Sequence, residues 1–428
     1  MNAPHGSLRF IQAHGTHPQP ELALELVWAQ LASQLGLAHA PPSQLPGATP
    51  PRMVPTLGWC YLSEELAHGA DLILQSLRER LPQVAWVGGV GAGVLATGVE
   101  YMDEPALVVM VCNLPASTFR VFHGRQPLPT HRELSHDGGW RAFTAQVHAD
   151  AQSPEVTELI DELAARTDSG YLFGGLCVGN PQSVQLAVDP RDATAADASP
   201  QQGVWHGGLS GVAFSDRVRL VSRVTQGCEP IGPQRRVTAA HQNVVYELDG
   251  LPALTCLLRD LDVTVNAGEV DWQREALPKV RATLVGLTDP DSDLLAHGAH
   301  FGADTRVRHI LGLDPARRGV AVSEPVHTGM HLAFCQRHVR AARQDLVRIC
   351  AEIREEFDPM DHPGHPPVGA VYISCAGRGG PHFGSPHAEM ALIAHALGDI
   401  PVVGIFAAGE IARHHIYGYT GVLTVFGA

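Results

Sequence analysis

Three stretches of the chain repeat one hydrophobic pattern: apolar residues at helical spacing, a short apolar run, then two glycines five residues apart. In ADLILQSLRERLPQVAWVGGVGAG, Leu72, Leu74, Leu77 and Leu81 precede Gly88 and Gly93. In EVTELIDELAARTDSGYLFGGLCVG the glycines are Gly174 and Gly179, and in HAEMALIAHALGDIPVVGIFAAGE they are Gly404 and Gly409. The shared period and the shared G-x-x-x-x-G spacing predict an architecture of related helix-then-strand units. Each unit leads into a segment rich in β-branched residues and turn signals: ALVVMVCNL and FRVFH after the first, GGLSGVAFSDRVRLVSRVTQG after the second, GYTGVLTVF after the third. The expected fold is therefore α/β of the mixed α+β kind. It has two lobes of mostly antiparallel or mixed sheets covered by helices, built from repeated helix-strand-hairpin units, and not a doubly wound parallel sheet.

Proline-rich His39–Met53 and the run Ala187–Gly203 read as exposed loops inside lobes. The better boundary lies near Leu248 to Leu257, between a β-rich segment and a helical tract around Val270 to Arg281. It gives domains at 1–250 and 251–428. A chain of 428 residues, 45% hydrophobic, suits two such cores.

Charge and composition narrow the function. A net charge of -14 with no Lys/Arg-rich run argues against a nucleic-acid or anionic-membrane surface. No apolar stretch of roughly 18 residues occurs, and the opening MNAPHGSLRFIQAHG lacks a basic region followed by an apolar block, so the expected location is the cytoplasm. Eight scattered cysteines without a C-x-x-C pair read as free, buried thiols. Many of the 24 histidines, among them His362, His365, His382 and His387, sit in Pro/Gly loops and read as compositional rather than as a metal cluster.

Cys375, Arg378, Glu389 and Glu410 lie in segments otherwise read as buried strand or tight turn. Burying a charge is costly unless it is paired or meets a ligand, so this region predicts a binding pocket. Arg378 and Glu410 on neighbouring strands would take a ligand carboxylate and a ligand ammonium, matching a free amino acid, or would bridge each other as an ion pair. Cys375 is either a nucleophile with His382 or His387 as base, or a buried thiol shaping the turn.

Other motifs fail on context. Gly91, Gly93 and Ala96 form G-x-G-x-x-A, but too few residues separate them from Pro105 for a crossover helix. Gly404 and Gly409 are spaced as in a P-loop, yet Glu410 and Ile411 stand where Lys and Ser/Thr are required. His387, Ala388 and Glu389 match the H-A-E step of zinc deaminases without a downstream P-C-x-x-C; with Ser385 and Pro386 they open a helix running to Leu397. Haem would need an axial ligand, for which His206, beside Trp205, and His241 are candidates.

The segment RLVSRVTQGCEPIGPQRRVTAAHQNVVYELDGLPAL from Arg219, the CAGRG of Cys375 to Gly379 and the closing G-I-F-A-A-G-E resemble the FIST (F-box and intracellular signal transduction) family. Its strongest marks are Gly227, Cys228, Pro230, Ile231 and Gly232, then Cys375, Arg378, Gly404, Gly409 and Glu410. The resemblance implies a FIST N and a FIST C domain and a role in sensing small ligands, not in catalysis. Together with the charged residues in apolar segments, it gives the expected ligand-binding positions Cys228, Cys375, Arg378, Glu389, Gly404, Gly409 and Glu410. Occupancy would pass to a separate signalling protein, since no kinase, cyclase or DNA-binding module and no F-box-like extension is fused. Some relatives are haem-based nitric oxide sensors, which keeps haem as an alternative beside a Cys375-dependent hydrolase. One departure is Val94 after Gly93, where the counterpart of the Gly409-Glu410 step would carry an acid.

Overall fold

The computed structural model describes residues 7–37, 53–134, 139–191, 203–263, 276–290, 305–358, 360 and 365–428. The expected loops at 39–52 and 192–202, the helical tract before Ala276 and His362 lie outside the described residues. Two compact units result, one drawn from Met1–Val224, Leu346–Ile416 and Thr420–Ala428, the other from Thr225–Asp345 and Tyr417–Tyr419.

The chain opens with β1 (Phe10–Thr16), α1 (Pro20–Gln34), β2 (Leu57–Ser63), α2 (Ala70–Arg80), β3 (Ala85–Gly91), β4 (Gly93–Ala96), β5 (Val99–Met102), β6 (Ala106–Cys112) and β7 (Phe119–Phe122). Next come α3 (His131–Leu134), β8 (Thr144–Asp150), α4 (Val156–Ala164), β9 (Leu172–Cys177), β10 (Gln185–Val188), β11 (Val204–Trp205), β12 (Leu209–Phe214) and β13 (Leu220–Gln226). The middle holds β14 (Cys228–Pro230), β15 (Arg235–His241), β16 (Val244–Leu248), β17 (Leu251–Pro252), α5 (Ala253–Asp260), α6 (Leu277–Arg281), β18 (Thr283–Thr288), β19 (Arg306–Asp314), β20 (Gly319–Val322) and β21 (His331–Arg337). The chain closes with α7 (Val339–Glu356), β22 (Pro367–Cys375), α8 (Ala388–Leu397), β23 (Val402–Ala407), β24 (Glu410–Arg413), β25 (His415–Tyr417) and β26 (Thr420–Gly427).

The first unit is built on the threefold repeat. Its sheets run β1-β6-β2-β3-β10-β11, β7-β12-β8-β9-β24-β25 and β13-β26-β22-β23-β4-β5. Each contains one parallel pair, β2 with β3, β8 with β9 or β22 with β23, joined through α2, α4 or α8, and antiparallel partners flank it. The strand after each parallel pair leaves its own sheet. β4 joins β23, β24 joins β9 and β10 joins β3, so the three sheets exchange strands in a ring. Mixed sheets with helical crossovers are the predicted fold class, and the exchange is what periodicity alone does not show.

The repeated glycines have a common physical cause. Gly88, Gly174 and Gly404 stand opposite Cys60, Val147 and Tyr372 in the parallel pairs. A Cβ there would sit 1.9, 1.9 and 1.6 Å from the partner's carbonyl oxygen, so only glycine lets the strands close. The crossover helices bury one stripe each: Ile73, Leu74 and Leu77 on α2, Ile160 and Leu163 on α4, Met390, Ile393 and Leu397 on α8. Leu72, part of the expected stripe, points outward instead.

The second unit does not repeat this pattern. The pairings β21–β15, β15–β16, β16–β20, β20–β19, β19–β18 and β18–β21 are antiparallel and close a ring. Val237, Val245, Leu248, Val285, Leu287 and Phe334 from these strands share one apolar core with Leu254, Leu257 and Leu258 of α5. Asp260, at the end of α5, takes Arg235 bidentately at 2.6 and 2.7 Å. Gly232 is required beside it, because a Cβ would lie 2.2 Å from the Asp260 carboxylate. Among the described residues no helix is long and apolar enough to cross a membrane.

Candidate ligand-binding site

Strand alternation along β22 puts Tyr372 and Ser374 on one face, beneath the crossover helix α8. Glu389, in the first turn of that helix, receives both. The Tyr372 hydroxyl donates to its Oε1 at 2.6 Å, and Ser374 Oγ lies 3.1 Å from each carboxylate oxygen. A 3₁₀ turn, Ala376–Arg378, then swings Arg378 back so that Nε and Nη2 donate to the same Oε1 at 3.0 and 2.9 Å. Tyr372, Ser374 and Glu389 are wholly buried, and Arg378 is 1% exposed. The guanidinium also lies over the Phe383 ring, 5.1 Å from its centroid.

Two glycines make room for this cluster. A Cβ at Gly379 would meet Met102 Cε at 2.1 Å, and one at Gly421 would meet the Tyr372 hydroxyl at 2.3 Å. Burial alone would lower the Arg378 pKa, but Tyr372, Glu389 and Glu410 outweigh it and raise it, so the guanidinium stays charged. Burial and then Glu389 push the Tyr372 phenol well above its usual range, so it stays a donor.

The N-terminus of α8 is held by a residue far away in sequence. Glu100, on β5, accepts the backbone N–H groups of Glu389 and Met390 at 2.9 and 3.1 Å. Its own N–H donates to His387 Nδ1 at 3.0 Å, and His387 adopts φ 63 at the helix N-cap. Glu100 therefore caps the helix in place of its own N-cap side chain, from a distant part of the chain. The expected helix from Ser385 to Leu397 is present from Ala388, but its capping carboxylate comes from Glu100. Burial raises the Glu100 pKa, opposed by those backbone donors.

Glu410 opens β24 opposite Gly175 of β9. Thr420 donates to its Oε2 from N at 3.1 Å and from Oγ1 at 2.6 Å. Its Oε1 is buried without a hydrogen-bond partner. Burial pushes this carboxyl up to about 8, against the Thr420 donors, the Arg378 charge and the Cys375 thiol. The same register position is held by Gln185, opposite Gly89, and by Val94, opposite Ile405. Val94 is thus the structural counterpart of Glu410, as the Gly93-Val94 step implied.

The expected pairing of Arg378 with Glu410 is corrected here. Arg378 makes its ion pair with Glu389 and acts on Glu410 through its field, because α8 drops Glu389 directly onto the Tyr372-Ser374 face of β22. Cys375 is 9% exposed and next to the Glu410 carboxyl. His387, its suggested base, spends Nδ1 on the Glu100 N–H. Gly404 serves the close approach to Tyr372, and the Gly409 carbonyl accepts the Leu176 N–H at 2.8 Å.

Cys228 belongs to the second unit, on β14, where its thiol faces that of Cys335 and packs with Leu284 and Val307. It stands outside the cluster built on Arg378. His206 and His241 are exposed, and His206 Nδ1 is 2.9 Å from the Ser183 carbonyl; an axial haem ligand needs an apolar surround. All eight cysteines are free and buried, as expected. Sequence reasoning missed Tyr372, Ser374, Thr420 and Glu100. Alternation along AVYISC could have given the first two, whereas nothing local marks Glu100.

The family profile of the FIST N domain matches residues 56–251, and that of the FIST C domain matches 253–413. An uncharacterized protein of Mycobacterium tuberculosis is 28% identical over 382 residues, spanning 83% of this chain and 86% of the relative. Another, of Mycobacterium bovis, is 26% identical over 374 residues, with the same coverage of both chains. With the two profiles together spanning most of its length, the chain belongs to the FIST family, whose domains are sensory modules of signal transduction thought to bind small ligands.

Proposed function

We propose that this chain is a cytoplasmic small-ligand sensor whose ligand carries an ammonium group, an amino acid or a related amine, with Glu410 as its acceptor. The observation that carries the reading is the buried Glu410 carboxyl, whose Oε1 meets no N–H or O–H donor and has only the Cys375 thiol beside it. Leaving such an oxygen unmet costs about 1–3 kcal/mol, which an ammonium donor would recover. Two carboxyl groups, Glu389 and Glu410, act on the one Arg378 guanidinium, and Glu389 already pairs with it, so a cation is the charge that Glu410 can still take. A ligand cation would lower the Glu410 pKa and ionise it. Arg378 holds Glu389 and completes the pocket rather than clamping the ligand directly.

Between β22 and α8 the chain runs through 376–387, two short 3₁₀ turns with glycines at 377, 379, 380 and 384, and we take this segment as the roof over these groups. Short 3₁₀ turns are a weakly bonded, hinge-like element, so ligand access is assigned to opening of this roof. The ligand then shifts the population toward whichever roof position it prefers, and by no more than that preference. Eight free thiols fit a reducing compartment. The chain is read as FIST N (1–250) and FIST C (251–428) halves, reporting to a separate signalling protein.

A thermal-shift screen against amino acids, amines, deaminated analogues of both and haem tests this reading. An amine at about 100 times its Kd should raise Tm by several degrees in the wild type and not in Glu410→Gln. Equal shifts by deaminated analogues would remove the ammonium assignment. A shift with haem alone, together with a Soret band, would make the ligand a porphyrin.

A further inference from the structure

A second place in the first unit has the makings of a ligand site, apart from the Glu410 cluster. A cavity of about 500 Å³ opens beside the edge strand β7, a volume ordinary for a small-molecule pocket. Two arginines line it, each with its guanidinium carbon over an aromatic ring: Arg120 is 4.9 Å from the Trp140 ring centroid and Arg191 is 4.8 Å from that of Phe119.

The two guanidinium groups differ in what they have left to give. Arg191 is committed. Its Nε lies 2.8 and 3.0 Å from the Asp189 carboxylate oxygens, Nη1 donates to the Ala116 carbonyl, and Nη2 reaches Asp189 and, at 3.4 Å, the Phe119 carbonyl. It straps the 189–191 loop to the segment before β7 and cancels the Asp189 charge. Arg120 has no carboxylate partner among the described residues and is exposed on the strand. The Trp140 indole beneath it is fixed by its Nε1 donating to the Ser117 carbonyl at 2.9 Å.

A guanidinium held over a ring offers its N–H groups at its edge, and the face turned from the ring is left for a ligand. The edge matches a carboxylate through paired hydrogen bonds, and the open face matches a flat ring. Gln126, on the cavity wall, adds an amide. The uncommitted charge of the cavity is one positive unit on a chain of net charge -14, so a singly charged anion is matched and a polyanion is not. We infer that this cavity binds a small planar carboxylate, its carboxylate on Arg120 and its ring stacked on the same guanidinium.

The test is calorimetric titration of the full chain with benzoate, acetate and inorganic phosphate, in the wild type, Arg120→Gln and Glu410→Gln. The expected result is saturable 1:1 binding of benzoate, tighter than acetate, weakened at least tenfold in Arg120→Gln and unchanged in Glu410→Gln. Arg120→Lys, which keeps the charge and loses the planar fork, should also weaken benzoate. Absence of saturable benzoate binding at millimolar concentration would overturn the proposal, as would unchanged binding in Arg120→Gln. Phosphate binding in preference to benzoate would overturn the carboxylate class. Loss of benzoate in Glu410→Gln but not in Arg120→Gln would move the carboxylate to the other cluster, so the two sites are told apart.

Discussion

Arg378 and Glu389 form a wholly buried ion pair in which two guanidinium nitrogens converge on one carboxylate oxygen, at 3.0 and 2.9 Å. Removing one partner strands the other charge in a dry interior, which costs about 3–5 kcal/mol. Arg378→Met and Glu389→Leu should each lower stability by that amount. The double variant should lose clearly less than the sum, because no lone charge remains. Denaturant unfolding of the four proteins checks this, and additive losses would mean the pair is not coupled.

Two buried groups should tilt stability with pH in opposite directions. The Glu410 carboxyl, pushed up to about 8 by burial, binds a proton in the folded state that the unfolded chain has already lost. Its contribution is full below the ordinary carboxylate pKa and disappears as pH rises toward 8, at up to about 1.4 kcal/mol per pH unit. Glu410→Gln should remove this loss, so the variant gains on the wild type from pH 5 to 8, by urea midpoints. His148, lowered to about 3 by burial, acts the other way: its contribution is full above its ordinary pKa near 6.5 and disappears as pH falls toward 3. His148→Gln should flatten the acid limb below about pH 6.

The strand glycines give a sharper contrast. A Cβ at Gly404 would lie 1.6 Å from the Tyr372 carbonyl oxygen, backbone that cannot step aside without breaking the β22–β23 pairing. Gly404→Ala should therefore cost roughly 3 kcal/mol or more, or prevent folding. Gly312→Ala, where a Cβ meets open space, should be nearly neutral. Thermal melts of the two variants make the comparison.

These cases show what could be read from the chain and what could not. Gly88, Gly174 and Gly404 were visible as a repeat because one steric demand recurs at one register position in three sheets. Arg378 and Glu410 were visible because charge in an apolar run is costly and therefore informative. Which residues they pair with was not, although Glu389 itself was among the candidates. Glu389 reaches Arg378 only through the phase of α8, and Glu100 reaches Glu389 from 289 positions away. Nor does hydrophobic period say which sheet receives the strand after each parallel pair, since β4, β10 and β24 would read alike in any of the three.

That strand exchange makes a last prediction. β4, from the first half of the chain, pairs with β23 from the last, and β24 pairs in return with β9. Glu100 on β5 also supplies the cap of α8. Cutting the chain between Gly250 and Leu251 would leave β23 without β4, β9 without β24, and α8 with two unmet N–H groups. Open apolar edges of this kind aggregate unless they are paired. Each fragment alone should give little cooperative unfolding and poor solubility, whereas co-expression should return a 1:1 complex that melts as one transition. Circular dichroism melts and co-purification on a tag carried by one fragment decide it. Two fragments that each melt cooperatively and do not associate would mean that the exchanged strands contribute little to the stability of the sheets.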